Sequence, residues 1–140
     1  MIKINLRLKD IALKAKRDVV EKKLDVFLQN VLNGFANEVI LHSMDTVDTG
    51  TYVTSHVISS APLNESNSSK GKPRGQDPSA KSQEGLNNLV SDITSLGDLK
   101  TLNRAFLQNV SYHAMLVEYE HGYAVYTKTR SRRNVIIQSA

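Results

Sequence analysis

One feature constrains the fold of this chain more than any other. From Ile11 to His42, apolar residues return at three- and four-residue steps. Ile11, Ala12, Ala15, Val19, Val20, Leu24, Phe27, Leu28, Val31, Leu32, Phe35, Val39 and His42 form one stripe of a helix running from about Asp10 to roughly Met44. Asp10 fits the N-cap. A continuous helix of that extent is about 50 Å long. Such a rod outreaches a compact domain of 140 residues, so part of it is expected to break, kink or pack on a neighbouring subunit. Gly34 is its weak point, costing on the order of 1 kcal/mol relative to Ala, unless it admits the close approach of another segment.

On either side of the helix the period changes. Ile2, Ile4, Leu6 and Leu8 alternate with polar residues, which predicts a half-buried strand, with a backward continuation of the helix as the competing reading. Asp45-Thr46-Val47-Asp48-Thr49-Gly50 ends the helix with turn formers, and Tyr52, Val53, Thr54, His56, Val57 and Ile58 predict a second strand. In that turn Asp48 and Thr49 can bond nearby backbone N–H groups while Gly50 supplies a positive φ. Between 60 and 85 no apolar period survives. All three prolines (Pro62, Pro73, Pro78) lie there with Gly71, Gly75 and Gly85, so a long loop is expected, made basic by Lys70, Lys72, Arg74 and Lys81.

Leu86, Leu89, Val90 and Ile93 restore helical spacing up to Gly97, and Leu102, Ala105, Phe106, Leu107 and Val110 suggest a strand. Ser111 can cap a third helix that carries Tyr112, Met115 and Tyr119 on one face, with Gly122 left-handed past its end. Tyr123–Tyr126 and Val135–Ile137 read as two final strands around a basic turn. The expected fold class is α+β: one domain over 1–140, its long N-terminal helix and shorter helices packed on a small, mainly antiparallel sheet, with an inserted loop at 60–85.

The chain has no cysteine, which excludes disulfides, thiolate zinc sites and cysteine nucleophiles and suits a reducing cytoplasm. No apolar run reaches the length of a membrane span and no signal-peptide block opens the chain, so a soluble intracellular product without membrane contact is expected. No two of His42, His56, His113 and His121 have the four-residue spacing of a helical metal pair, and they read as ordinary surface or half-buried histidines. Ser43, Ser55 and Ser111 stand near histidines in sequence without a nucleophile elbow. Neither a catalytic set, a cofactor loop nor a metal site can be assembled, and a non-enzyme is expected. Glu118 and Glu120 face different sides of a helix; Glu118, near a helix C-terminus, wants an Arg or Lys partner from its own or a neighbouring subunit.

Charge is uneven around a net +4: residues 26–59 hold three acids and no Lys or Arg, whereas 123–140 hold Lys128, Arg130, Arg132 and Arg133 and no acid. Basic ends and an acidic middle suit head-to-tail stacking of copies, or contact with phosphate. The basic C-terminal segment could neutralise about three or four phosphates, with Tyr123 and Tyr126 nearby.

Two segments about 60 residues apart carry a family resemblance. The first is Thr49-Gly50-x-Tyr52-x-x-Ser55, following the long helix. The second is Asn109-x-x-Tyr112-x-Ala114-x-x-x-Glu118-Tyr119, closed by Gly122. In this order, with a variable loop between, they resemble the tail-completion (head–tail joining, or neck) proteins of long-tailed bacteriophages. The chain departs from that pattern where Glu120-His121 precedes Gly122, and in its short basic end without proline.

The resemblance implies a virion structural subunit, assembled in the bacterial host cytoplasm. It would form a homo-oligomeric ring, generally a hexamer, contacting a head-closure or connector protein on one side and a tail terminator or tail tube protein on the other. Lys70, Lys72 and Arg74 in the loop, and Lys128, Arg130, Arg132 and Arg133 at the end, would then make intermolecular contacts or line a channel for DNA. A tail terminator or minor tail protein is the alternative within that class. A small basic DNA-binding or toxin-like intracellular protein is the alternative outside it.

Overall fold

A computed structural model describes residues 2–15, 23–66 and 70–140. The alternation at the start of the chain forms strand β1 (Lys3–Arg7), with Ile4 and Leu6 buried and Lys3, Asn5 and Arg7 exposed. It is an edge of a three-stranded antiparallel sheet, order β1-β3-β2, with β3 (Arg104–Asn109) in the centre and β2 (His56–Ser59) on the far edge. Register places Ile4 and Ile58 on either side of Leu107, Leu6 opposite Ala105, and His56 opposite Asn109. These residues make the core face.

The opposite face is covered in part by the chain after β2. The Gln108 carboxamide donates to the Leu63 carbonyl (2.7 Å) and accepts from the Leu63 N–H (3.0 Å), a side-chain substitute for strand pairing. Each edge strand also has one backbone group taken by a charged side chain. Arg130 donates to the Lys3 carbonyl (2.6 Å), and Asp92 accepts from the Ile58 N–H (3.1 Å). Burial raises the Asp92 pKa, and this hydrogen bond opposes the rise.

The long apolar stripe is realised as two helices that touch, α1 (Leu8–Ala15) and α2 (Leu24–Ser43), and so not as one straight rod. Val19 and Val20 lie outside the described residues. Asp10 sits inside the first turn of α1 and does not cap it, because the helix begins at Leu8. In α2 the stripe buries Phe27, Leu28, Val31, Leu32, Phe35 and Val39 in the core that Ile4, Leu6 and Leu107 share. Full burial of each such side chain is worth about 1.5–3 kcal/mol. A 3₁₀ turn, Met44–Thr46, ends the helix where the sequence places its end.

Other boundaries differ from the sequence reading. Tyr52 and Val53 belong to a short helical turn, α3 (Thr51–Thr54), and the strand starts only at His56. The long loop stops early because α4 spans Pro78–Ser95. Asp77 caps α4 by accepting from the Ser79 N–H, and Pro78 takes the first helical position, where its missing N–H costs nothing. Read as a loop former, that proline was in fact a helix start. The two expected final strands are helices, α5 (Val125–Ser131) and α6 (Arg133–Ser139), with Val125, Tyr126, Thr129 and Ile136 turned inward. The expected third helix is present but short: Ala114 and Met115 are α-helical and run directly into a five-residue π-helical turn, Leu116–Glu120. Gly122 does adopt the left-handed conformation (φ 70°).

Two glycines let helices approach closely. At Gly34 a Cβ would lie 2.6 Å from Ile136 Cγ2, so this residue seats α6 on α2. At Gly85 a Cβ would fall on the Val53 carbonyl oxygen, which joins α4 to α3. Gly85→Ala is therefore expected to lower stability by about 1–3 kcal/mol, even though Ala favours a helix interior by about 1 kcal/mol. Urea unfolding checks this; an unchanged or higher midpoint would show that α3 and α4 can separate freely.

Candidate functional site

The two motif segments meet. Asn109, at the end of β3, donates from Nδ2 to the Tyr52 carbonyl (2.8 Å), and its Oδ1 accepts from the Ser111 N–H (2.9 Å). Ser111 therefore caps nothing: its N–H is the group held, and its own buried hydroxyl has no hydrogen-bond partner among the described residues. Ser55 bonds back to the Thr51 carbonyl, closing α3. Gly50 (φ 81°) makes the turn into α3, and its carbonyl accepts from Thr54 N–H (3.1 Å) and Oγ1 (2.7 Å). Thr49 Oγ1 accepts from the Thr51 N–H (3.3 Å), as the turn reading expects. Asp48 instead reaches across the fold to hold the basic loop, accepting from the Gly75 N–H at 3.0 Å with Arg74 3.8 Å away.

At the centre of this junction is His56, 1 % exposed. That corrects its reading as an ordinary surface or half-buried histidine. Its Nε2 is 2.8 Å from Ser43 Oγ, and its Nδ1 is 2.9 Å from the Tyr126 hydroxyl and 3.2 Å from Asn109 Nδ2. The direction of each bond follows from its neighbours. Because the Ser111 N–H fixes the Asn109 amide, Nδ2 can only donate. His56 Nδ1 is then an acceptor, shared with the Tyr126 O–H, and Nε2 carries the proton toward Ser43. Ser43 passes its own proton to the Val39 carbonyl (2.5 Å). Ser43 and His56 thus form a serine–histidine contact that no local pattern in the chain announces. Its polarity is the reverse of nucleophile activation, and Ser43 is fully buried. Its work is to tie α2, β2, β3 and α5 together.

Glu118, 2 % exposed, holds the start of α5. Its two carboxylate oxygens accept from Tyr126 N–H (2.9 Å) and from Thr127 N–H (2.8 Å) and Oγ1 (2.9 Å). The expected Arg or Lys partner is thereby replaced by the positive end of a helix dipole, whose free N–H groups the carboxylate satisfies. Glu120 is exposed, so the two glutamates do face different ways. Ala114 is buried, while Tyr112 and Tyr119 point outward at 54 % and 60 % exposure.

The basic candidates are divided between two regions. Lys70, Lys72 and Arg74 are exposed in the loop that Asp48 anchors. Arg130 is bonded to β1 and Arg132 lies 3.3 Å from Glu38 on α2; Lys128 is exposed and Arg133 half-buried. The residues missed in the sequence, Ser43, His56 and Tyr126, left one usable trace. Val125, Tyr126 and Thr129 recur at helical spacing, which a strand assignment ignores.

Among the described residues, no group of three His, Asp or Glu is placed to hold a metal ion, and no helix is long and apolar enough to cross a membrane. No protein-family model, curated protein or solved structure matches this chain.

Burial pushes the His56 pKa down to about 3. An unfolded chain, with histidine near about 6.5, binds a proton that the folded protein refuses. Stability contributed by this group is present above about pH 6.5 and falls as pH drops through the window to about 3, by up to about 1.4 kcal/mol per pH unit. The His56 ring should keep neutral Nε2–H signatures in NMR spectra at pH 4.5, and a ring that titrates near pH 6 would contradict the assignment. Glu118→Gln puts an amide N–H against a backbone N–H and is expected to cost about 1–3 kcal/mol. Amide exchange should accelerate in α5 before β3; uniform acceleration would deny the capping role.

Proposed function

We propose that this chain is a non-catalytic structural subunit of the neck of a long-tailed bacteriophage, a tail-completion or head–tail joining protein that acts in a ring, generally a hexamer, between the head connector and the tail. One observation carries the reading. The residues of the two resembling segments are far apart in sequence, yet they serve one junction: Asn109 holds Tyr52, and Glu118 fixes the helix that brings Tyr126 to His56. Shared duty of this kind supports taking the two segments as one pattern. The outward Tyr112 and Tyr119, the exposed loop cations and the C-terminal helices supply surface for neighbouring rings. A tail terminator or minor tail protein remains the variant within this class.

The test is cryo-electron microscopy of particles from the lysate that contains the chain. A ring of it between head and tail is the expected result, and its absence from assembled particles would remove the proposal. A second experiment reverses charge at Arg130, Arg132 and Arg133 together. The exposed Arg132–Glu38 pair is worth at most about 1 kcal/mol and the exposed Arg130 hydrogen bond to the Lys3 carbonyl about 1–3 kcal/mol, so the variant should fold, which its melting curve checks, yet fail to enter particles. Unchanged assembly and infectivity would exclude a contact role for the C-terminal cations. Salt-sensitive DNA binding by the isolated monomer would instead favour the small DNA-binding protein.

A further inference from the structure

A cleft of about 530 Å³ lies where β1, α1 and the start of α6 meet, a size common for small-molecule sites. Asn5, Arg7, Asp10, Leu13 and Arg133 line it. Arg7 stands directly opposite Arg104 in the β1–β3 register, so a third arginine adjoins the cleft. Like charges placed opposite one another in a sheet are destabilising. The chain has acids that could relieve this crowding, and it uses them elsewhere. Among the described residues no ion pair includes Arg7, Arg104, Arg133 or Asp10. The contrast along the C-terminal segment is direct. Arg130 is bonded to the Lys3 carbonyl and Arg132 is paired with Glu38, whereas Arg133, half-buried in the cleft wall, has no such partner among the described residues. Arginines from two elements, gathered at one hollow without a carboxylate bound to either, mark a place for an anion from outside.

We propose that the cleft binds the phosphate of a ribonucleotide, a phosphate ester whose sugar carries free hydroxyls. Each guanidinium can give two parallel N–H bonds to phosphate oxygens. A carboxylate's two oxygens are satisfied by a single arginine, whereas a phosphate has oxygens for donors arriving from both β1 and α6. Asn5 adds an amide N–H in the wall, and Arg104 adds positive charge beside Arg7. Asp10 in the same wall repels a bare anion. It suits a ligand that brings a hydroxyl next to the phosphate, because a carboxylate accepts what that hydroxyl donates. Leu13, exposed on α1, offers the sugar or base an apolar surface. A free ribonucleotide and the backbone of RNA present this same chemistry; DNA lacks the hydroxyl. The inference does not rest on the neck reading, because it concerns the cleft whatever assembly the chain joins.

The test is an NMR titration of the full labelled chain with uridine 5′-monophosphate, inorganic phosphate, sodium acetate and a ten-residue oligouridylate. The nucleotide should saturate one site with a Kd of about a millimolar or below, and bind about fivefold or more tightly than phosphate. Arg7→Gln and Arg133→Gln should each weaken it about fivefold or more. Arg7→Gln also removes the like-charge pair with Arg104, so its melting temperature should stay within about 2 °C or rise, and lost binding then cannot be ascribed to unfolding. Asp10→Ala should tighten inorganic phosphate while narrowing the preference for the nucleotide. Oligouridylate binding more than about tenfold tighter than the nucleotide, beyond its statistical advantage, assigns the cleft to an RNA backbone; anything weaker assigns it to the free nucleotide. Three results would overturn the proposal: no saturable shift from the nucleotide, acetate binding as tightly as the nucleotide, or a nucleotide Kd unmoved by Arg7→Gln and Arg133→Gln. Equal tightening of phosphate and nucleotide in Asp10→Ala would likewise reject it, since the cleft would then hold any anion.

Discussion

A single neutral imidazole holds the layers of this protein in register. His56 receives hydrogen bonds at one ring nitrogen from Tyr126 and Asn109 and gives one at the other to Ser43, so four elements from opposite ends of the chain meet on one ring. The proton order leaves no alternative assignment: it starts from a backbone N–H at Ser111 and ends on a backbone carbonyl at Val39. Such a chain is stable only when complete, because each member lost leaves its neighbour buried and unpaired. The apolar core around it is tolerant by comparison, since hydrophobic packing has no direction.

Glu118 complements this ring in a different way. A buried carboxylate ordinarily calls for a cation, and the chain has many to offer. It uses instead the N–H groups of α5, which places Tyr126 and therefore ties the carboxylate to the imidazole. The cations are thereby left for the surface, where Arg74 and Arg132 pair loosely with Asp48 and Glu38.

Much of the architecture was legible wherever burial imposes a period. The alternation at Ile4 and Leu6 gave β1, the stripe from Phe27 to Val39 gave α2, and Ala105–Leu107 gave β3. Legibility failed where local chemistry is ambiguous. Asp77-Pro78 reads equally as a turn or as a helix cap, and only the helix beyond it decides. Tyr123–Tyr126 and Val135–Ile137 are too short to show a period, and their β-branched and aromatic residues lean toward strands that packing against α2 overrides. The motif residues Asn109 and Glu118 were visible as a pattern. Their partners were not, since a hydrogen bond between residues 57 apart, as from Asn109 to Tyr52, leaves no mark on local sequence.

The two charged side chains on the sheet's edges have a consequence of another kind. Open strands are templates on which further strands, of this chain or any other, can be laid without limit. Here a strand arriving beside β1 or β2 must first displace Arg130 from the Lys3 carbonyl or Asp92 from the Ile58 amide. Two side chains, a guanidinium and a carboxyl group, therefore act as end-stops. They keep a sheet of only three strands from growing into a ribbon, and they let the protein be crowded among its copies without the copies fusing.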